Sequence, residues 1–247
     1  MNALNRSSQI FMKLLAFNGS VLFAMTLQRL VLFLVVVRHW LFGADGVTIA
    51  SSFVMGLRFD LCVLGFINIP LLFVTWAICS DYFVNSQNKF VQFFRKWSLG
   101  IYLAITTFVI HLLGMLDLMY FAGNGRRWTY YDWQKSGLDF VSQISEKWGF
   151  VFTTGVVVLF IFLWAFRCMV QLYRAELQKT PLQSERLAQS KVLLILLGVV
   201  LPFFVVALAA RGTWTAHHIN AEHAEVSQNP ALNQLTLSPV WAFDKKF

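Results

Sequence analysis

The chain has 247 residues, of which 57% are hydrophobic, 16% aromatic and 13% charged, with a mean hydropathy of +0.61 and a formal net charge of +8. A soluble domain carries about 25% charged residues, so an ordinary water-soluble enzyme is excluded and a membrane protein is expected. The positive balance does not point to nucleic acid, because Lys and Arg fall between apolar runs and form no basic face.

Five apolar runs approach the roughly 20 residues that a helix needs to cross a 30 Å hydrocarbon core. The first, 14–37, follows Lys13 and is interrupted by Arg29 before resuming as LVLFLVVV, the pattern of an uncleaved anchor rather than a signal peptide. The second, 55–78, carries Arg58 and Asp60 at its start and contains Pro70, which is expected to kink it. A polar connector over 81–96 leads to the third, 99–118, which holds His111 and Asp117. In the polar segment 121–147 that follows, Leu138, Val141, Ile144 and then Trp148 recur at helical spacing and predict a short amphipathic helix lying on the membrane surface. The fourth run, 148–166, and the fifth, 192–210, are uncharged and are separated by a basic connector. The expected fold is an all-α membrane protein with five transmembrane helices.

Five spans put the two ends on opposite sides. The amino end and the connectors on its side carry ten Lys and Arg, and the connectors on the other side carry five. The positive-inside rule then makes the amino end cytoplasmic and the carboxyl end external. At about 1.5 Å per residue, Arg29 lies roughly 13 Å below the outer end of the first span, and His111 lies about 9 Å deeper than Asp117. Arg29, Arg58, Asp60, His111 and Asp117 therefore all belong to the outer half.

Charges in lipid need partners. Residues two apart on a helix point in nearly opposite directions, so Arg58 and Asp60 address different neighbours. The simplest closed set pairs Arg58 with Asp117 and Asp60 with Arg29, leaving His111 to bond to one of these or to water. Two readings stand: a structural ion-pair cluster that fixes helix packing, or an outward-open pocket that takes a lipid head group with an arginine on its phosphate. A proton or ion path lacks charges in the inner half to continue it.

The three cysteines, Cys62, Cys79 and Cys168, have neither disulfide nor metal spacing. His217, His218, Glu222 and His223 in the tail match no zinc motif, and no Walker loop, G-x-S-x-G or H-E-x-x-H is present, so neither a catalytic residue nor a metal ligand is expected. With Pro230, Pro239 and mixed polarity, the tail reads as a partly ordered external linker.

GLRFDL at 56–61, the aspartate and tyrosine of LDLMYF at 116–121, the arginine within the first span, and Arg211-Gly212 followed by LNQLTLSPVWAF resemble the membrane portion of the lipoteichoic acid synthase type of sulfatase-fold proteins. These include the phosphoglycerol and phosphoethanolamine transferases of bacterial envelopes. The resemblance implies a five-helix domain over 1–211 in the bacterial inner membrane. It makes 212–247 a linker toward an external catalytic domain that is not in this chain. That domain would hold the threonine nucleophile and the divalent metal, so no cofactor is expected here. The implied partners are membrane phospholipids and a separate sulfatase-like catalytic chain, with the lipid donor presented by Arg29, Arg58, Asp60, Asp117 and Arg211. The alternative is a non-enzymatic scaffold subunit of an envelope assembly.

Overall fold

The computed structural model describes residues 2–40, 45–79, 82, 86–135, 167, 200–212 and 219–244. Among these there is no strand. The expected surface helix at 138–148, the fourth span and residues 192–199 of the fifth lie outside them.

Three long helices carry the apolar runs: α1 (Asn2–Trp40), α2 (Gly46–Cys79) and α3 (Lys89–Asn124). Each contains a stretch long and apolar enough to cross a membrane, which makes the chain a multi-pass membrane protein. Both α2 and α3 begin well before the expected spans. Asp45 accepts from the Thr48 amide just ahead of α2, which begins at Gly46, nine residues before Met55, so Arg58 and Asp60 lie inside a helix and not at its mouth. Asn88 caps α3 through the Phe90 amide, and Gly125, left-handed at φ 70°, ends it by donating to the Phe121 carbonyl. Pro70 is accommodated within a continuous α2, and one turn before it the Tyr102 hydroxyl of α3 donates to the Ile67 carbonyl at 3.1 Å.

α1 and α2 are joined across their interface by Asn18, which donates to Asn68 at 2.9 Å. A fourth helix, α4 (Leu201–Arg211), runs against α2. Gly65 lets the two backbones meet, because a Cβ there would strike the main chain of Ala209 and Ala210. The Cys62 thiol donates to the Ala210 carbonyl at 2.9 Å, and Leu72 packs on Val206.

The carboxyl-terminal segment is more than a linker. Gly212, left-handed at φ 69°, ends α4, and Ile219 returns to donate to the Arg211 carbonyl. A 3-10 turn (Ala221–Ala224), α5 (Pro230–Thr236) and α6 (Pro239–Asp244) then pack on the ends of α1, α2 and α3. Leu232 and Leu235 are wholly buried against Leu32, Leu118 and Phe121, while Phe59 of α2 meets the Trp241 ring edge-on at 5.5 Å. Local signals build these short pieces: Asn229 caps α5 ahead of Pro230, and Ser238 accepts from the Trp241 amide ahead of α6.

Two glycine substitutions test the α2–α4 contact. Gly65→Ala is expected to cost at least about 1–3 kcal/mol by overpacking and to lower the melting temperature in detergent. Gly19→Ala, where nothing lies within 4 Å of the new methyl, is expected to cost nothing.

Candidate functional site

Two ion pairs are buried side by side where α1, α2, α3 and the tail converge. The first joins α1 to α2. Arg29 grips Asp60 with both ends of its fork, Nη1 to Oδ2 at 2.6 Å and Nη2 to Oδ1 at 3.0 Å, and both residues are almost fully buried. The remaining edge, Nε, donates to the Leu235 carbonyl at 2.9 Å. Gly56 lies one turn from Asp60 and supplies the space, since a Cβ there would overlap the guanidinium.

The second pair joins α3 to the loop after it. Arg127 Nε lies 2.5 Å from Asp117 Oδ2 in an ionic contact whose N–H axis misses hydrogen-bond alignment, and Arg127 Nη1 donates to the Gln234 carbonyl at 2.8 Å. The other oxygen of Asp117 accepts from the Trp128 amide at 2.9 Å. Between the pairs is a cavity of about 20 Å³, bordered by Gln28, Arg29, Gly114, Asp117 and Arg127, which is room for about one water.

Both arginines thus reach consecutive carbonyls, 234 and 235, in the last turn of α5. The final carbonyls of a helix lack intrahelical acceptor duties, and a cation beside them is favoured by the helix dipole. Two positive and two negative side chains make the cluster neutral, and it holds three transmembrane helices and the tail in one place.

The remaining expected residues are placed differently. Arg58 does not meet Asp117. It donates to the Gly212 carbonyl from Nε at 3.3 Å and Nη2 at 3.2 Å, closing the end of α4. The pairing fails because Arg127, ten residues beyond Asp117 in sequence but brought back by the Gly125 reversal at the end of α3, takes that carboxylate. His111 is buried on α3 and joins neither ion pair: its carbonyl accepts a long 3.5 Å contact from Gln28, and its ring Nε2 has no partner among the described residues. Arg211 is exposed in the last turn of α4. In the tail, His223 folds onto Asn220 in a local cap, and His217 and His218 lie outside the described residues.

The loop 125–135 carries what sequence reasoning passed over. Arg126 forks onto Asp132, Nη1 to Oδ2 at 2.8 Å and Nη2 to Oδ1 at 2.5 Å, and also reaches the Tyr120 hydroxyl at 2.9 Å. Thr129 and Asp132 cap the helical turn at 130–135 reciprocally: the Thr129 amide and hydroxyl donate to Asp132, and the Asp132 amide donates to the Thr129 hydroxyl. The T-x-x-D spacing in RRWTYYDW is the readable signal of such a cap. Burial pushes the Asp132 pKa up, but Arg126 and the Thr129 donors together outweigh it and hold the carboxyl below its ordinary value.

Comparison with family models, with curated proteins and with solved structures finds no match. The chemistry of the site therefore rests on its own geometry, which is that of a lock. Each arginine is bound on one side by a carboxylate and on the other by the tail's main chain.

Arg29→Met, which leaves Asp60 charged and alone, is expected to destabilise the protein by about 3–5 kcal/mol. The double variant Arg29→Met/Asp60→Leu should recover much of that loss in a thermal or denaturant melt in detergent. A second expectation concerns pH. Because the Asp132 pKa is lower folded than unfolded, its stabilising contribution is fully present above the unfolded value of about 3.9 and fades as pH falls through the folded one. Trp fluorescence reporting on Trp128 and Trp133 should hold steady down to about pH 4 and change below it, and Asp132→Asn should remove that step.

Proposed function

We propose that this chain is a membrane anchor whose folded tail forms a rigid platform at the outer face of a bacterial inner membrane, holding an envelope transferase unit at a set position. The single observation that carries this reading is the pair of main-chain contacts, Arg29 to Leu235 and Arg127 to Gln234, that fasten the tail to buried charges. An anchor that merely tethered would need no such fastening. The outward placement follows from the distribution of Lys and Arg. The transferase assignment rests on the resemblance of GLRFDL and LNQLTLSPVWAF to the lipoteichoic acid synthase type of proteins.

The structure supplies a physical role for most of that first motif. Gly56 clears space for Arg29, Arg58 closes α4, Phe59 seats Trp241 and Asp60 binds Arg29. All four act on the joint between bundle and tail, which supports a platform. The space between the two ion pairs is only water-sized, and Arg29 is taken up by Asp60 and the Leu235 carbonyl, so we assign that inner space to structure and not to a lipid head group.

Limited chymotrypsin digestion of the detergent-purified chain tests the platform, because Leu232, Leu235, Leu237, Trp241 and Phe243 all lie within the fastened tail. Wild type should resist cleavage there, and Arg127→Met should be cut at least about tenfold faster, as expected for a local opening made easier by 1.4 kcal/mol or more. Equal rates would overturn the platform. Purification from native membranes in mild detergent tests the transferase assignment: a sulfatase-like domain, joined to this chain or bound to it, is expected, and its absence would favour the scaffold alternative.

A further inference from the structure

We propose that the cleft between the loop after α3 and the end of α5 binds the phosphate of a bilayer lipid head group. It has a volume of about 410 Å³ and is lined by Arg126, Arg127, Thr129, Tyr131 and Gln234. That is the volume of roughly a dozen waters, against about one for the cavity between the ion pairs, so a head group has room here and none there.

Depth places the cleft at the right level. From Trp97 to Asp117 along α3 is twenty residues, about 30 Å, one hydrocarbon thickness. A core that starts at the Trp97 end therefore stops near Asp117, and Gly125, eight residues further, stands in the head-group layer. Three exposed aromatic side chains, Tyr130, Tyr131 and Trp133, stand on the adjoining turn, as they do at the membrane interface.

The donors fit phosphate. A guanidinium has five N–H groups. Arg126 commits three, to Asp132 and Tyr120, and its side chain is 52% exposed. Arg127 donates one, from Nη1 to the Gln234 carbonyl, rests its Nε edge on Asp117 as an ionic contact, and is almost wholly buried. Both arginines line one space, together with Tyr131. Gln234 adds a side-chain Oε1 that is buried without a partner, ready to accept from a head-group hydroxyl or, with the amide turned over, to present its NH₂ to a phosphate oxygen. Each arginine already faces an aspartate, so the cleft is close to neutral. Recognition comes from directed donors, and the phosphate rather than the net charge of the lipid is what it selects.

The site depends on the docked tail, because Gln234 belongs to α5. Native mass spectrometry of the full chain with phosphatidylglycerol in detergent measures occupancy, and Arg126→Gln and Gln234→Glu are the variants. Gln234→Glu keeps the main-chain carbonyl that binds Arg127 and places a negative charge in the cleft. The expected result is an affinity loss of about tenfold in each variant, with the tail still resistant to chymotrypsin in Gln234→Glu. Competition by free glycerol phosphate would show that the head group alone suffices, and its failure would show that the acyl chains are needed; both are consistent with the site. Unchanged lipid occupancy in Gln234→Glu overturns it, even if Arg126→Gln unfolds. Cleavage of the tail in wild type would instead strike the platform itself.

Discussion

A guanidinium held out of water must find an acceptor for its charge and for as many of its N–H groups as geometry allows, because desolvation costs several kcal/mol per ion. That constraint governs the joint between the helices and the tail. Arg29 meets it with the two oxygens of Asp60 and the carbonyl of Leu235, and Arg127 with Asp117 and the carbonyl of Gln234. A carboxylate alone would balance the charge but leave donors unmet. The tail adds a main-chain acceptor to each guanidinium, which ties its folding to the assembly of the bundle.

The same constraint explains residues with no charge. Gly56 and Gly114 sit beside the polar side chains of α1, Gly56 against Arg29 and Gly114 against Gln28, where any side chain would collide. Phe59, on α2 between Arg58 and Asp60, is wholly buried and packs with the tail through Trp241. Apolar packing and the ion pairs therefore act on one interface. The hydrophobic contacts supply area, and the charged ones, costly if displaced, fix the register.

Helix content and the Arg29–Asp60 pair were legible in the sequence because both follow from strong, local rules: apolar length for the helices, opposite facing of Arg58 and Asp60 for the choice of partners. The partner of Asp117 was not. Arg127 lies in a polar loop, where Lys and Arg are read for orientation, and only the left-handed turn at Gly125 carries it back over the end of α3. The tail was read as only partly ordered for a similar reason. Its helices are one to two turns long and too short for periodicity to register. Yet Asn229-Pro230 and Ser238-Pro239 are helix-start signals, and Leu232, Leu235 and Leu237 are the side chains they deliver to the core. Hydropathy reported the extent of lipid-compatible sequence, not where helices begin, so α2 was expected to start nine residues late.

The surplus length of α2 has its own outcome. Nineteen residues separate Asp60 from Cys79, about 29 Å, so the oily slab is already used up by the time the helix reaches its carboxylate. The fourteen residues from Gly46 to Phe59 extend roughly 20 Å further, and they remain apolar enough to stay in contact with lipid. A helix with more oily length than one crossing uses has to lean, which sets the slant of everything packed on it.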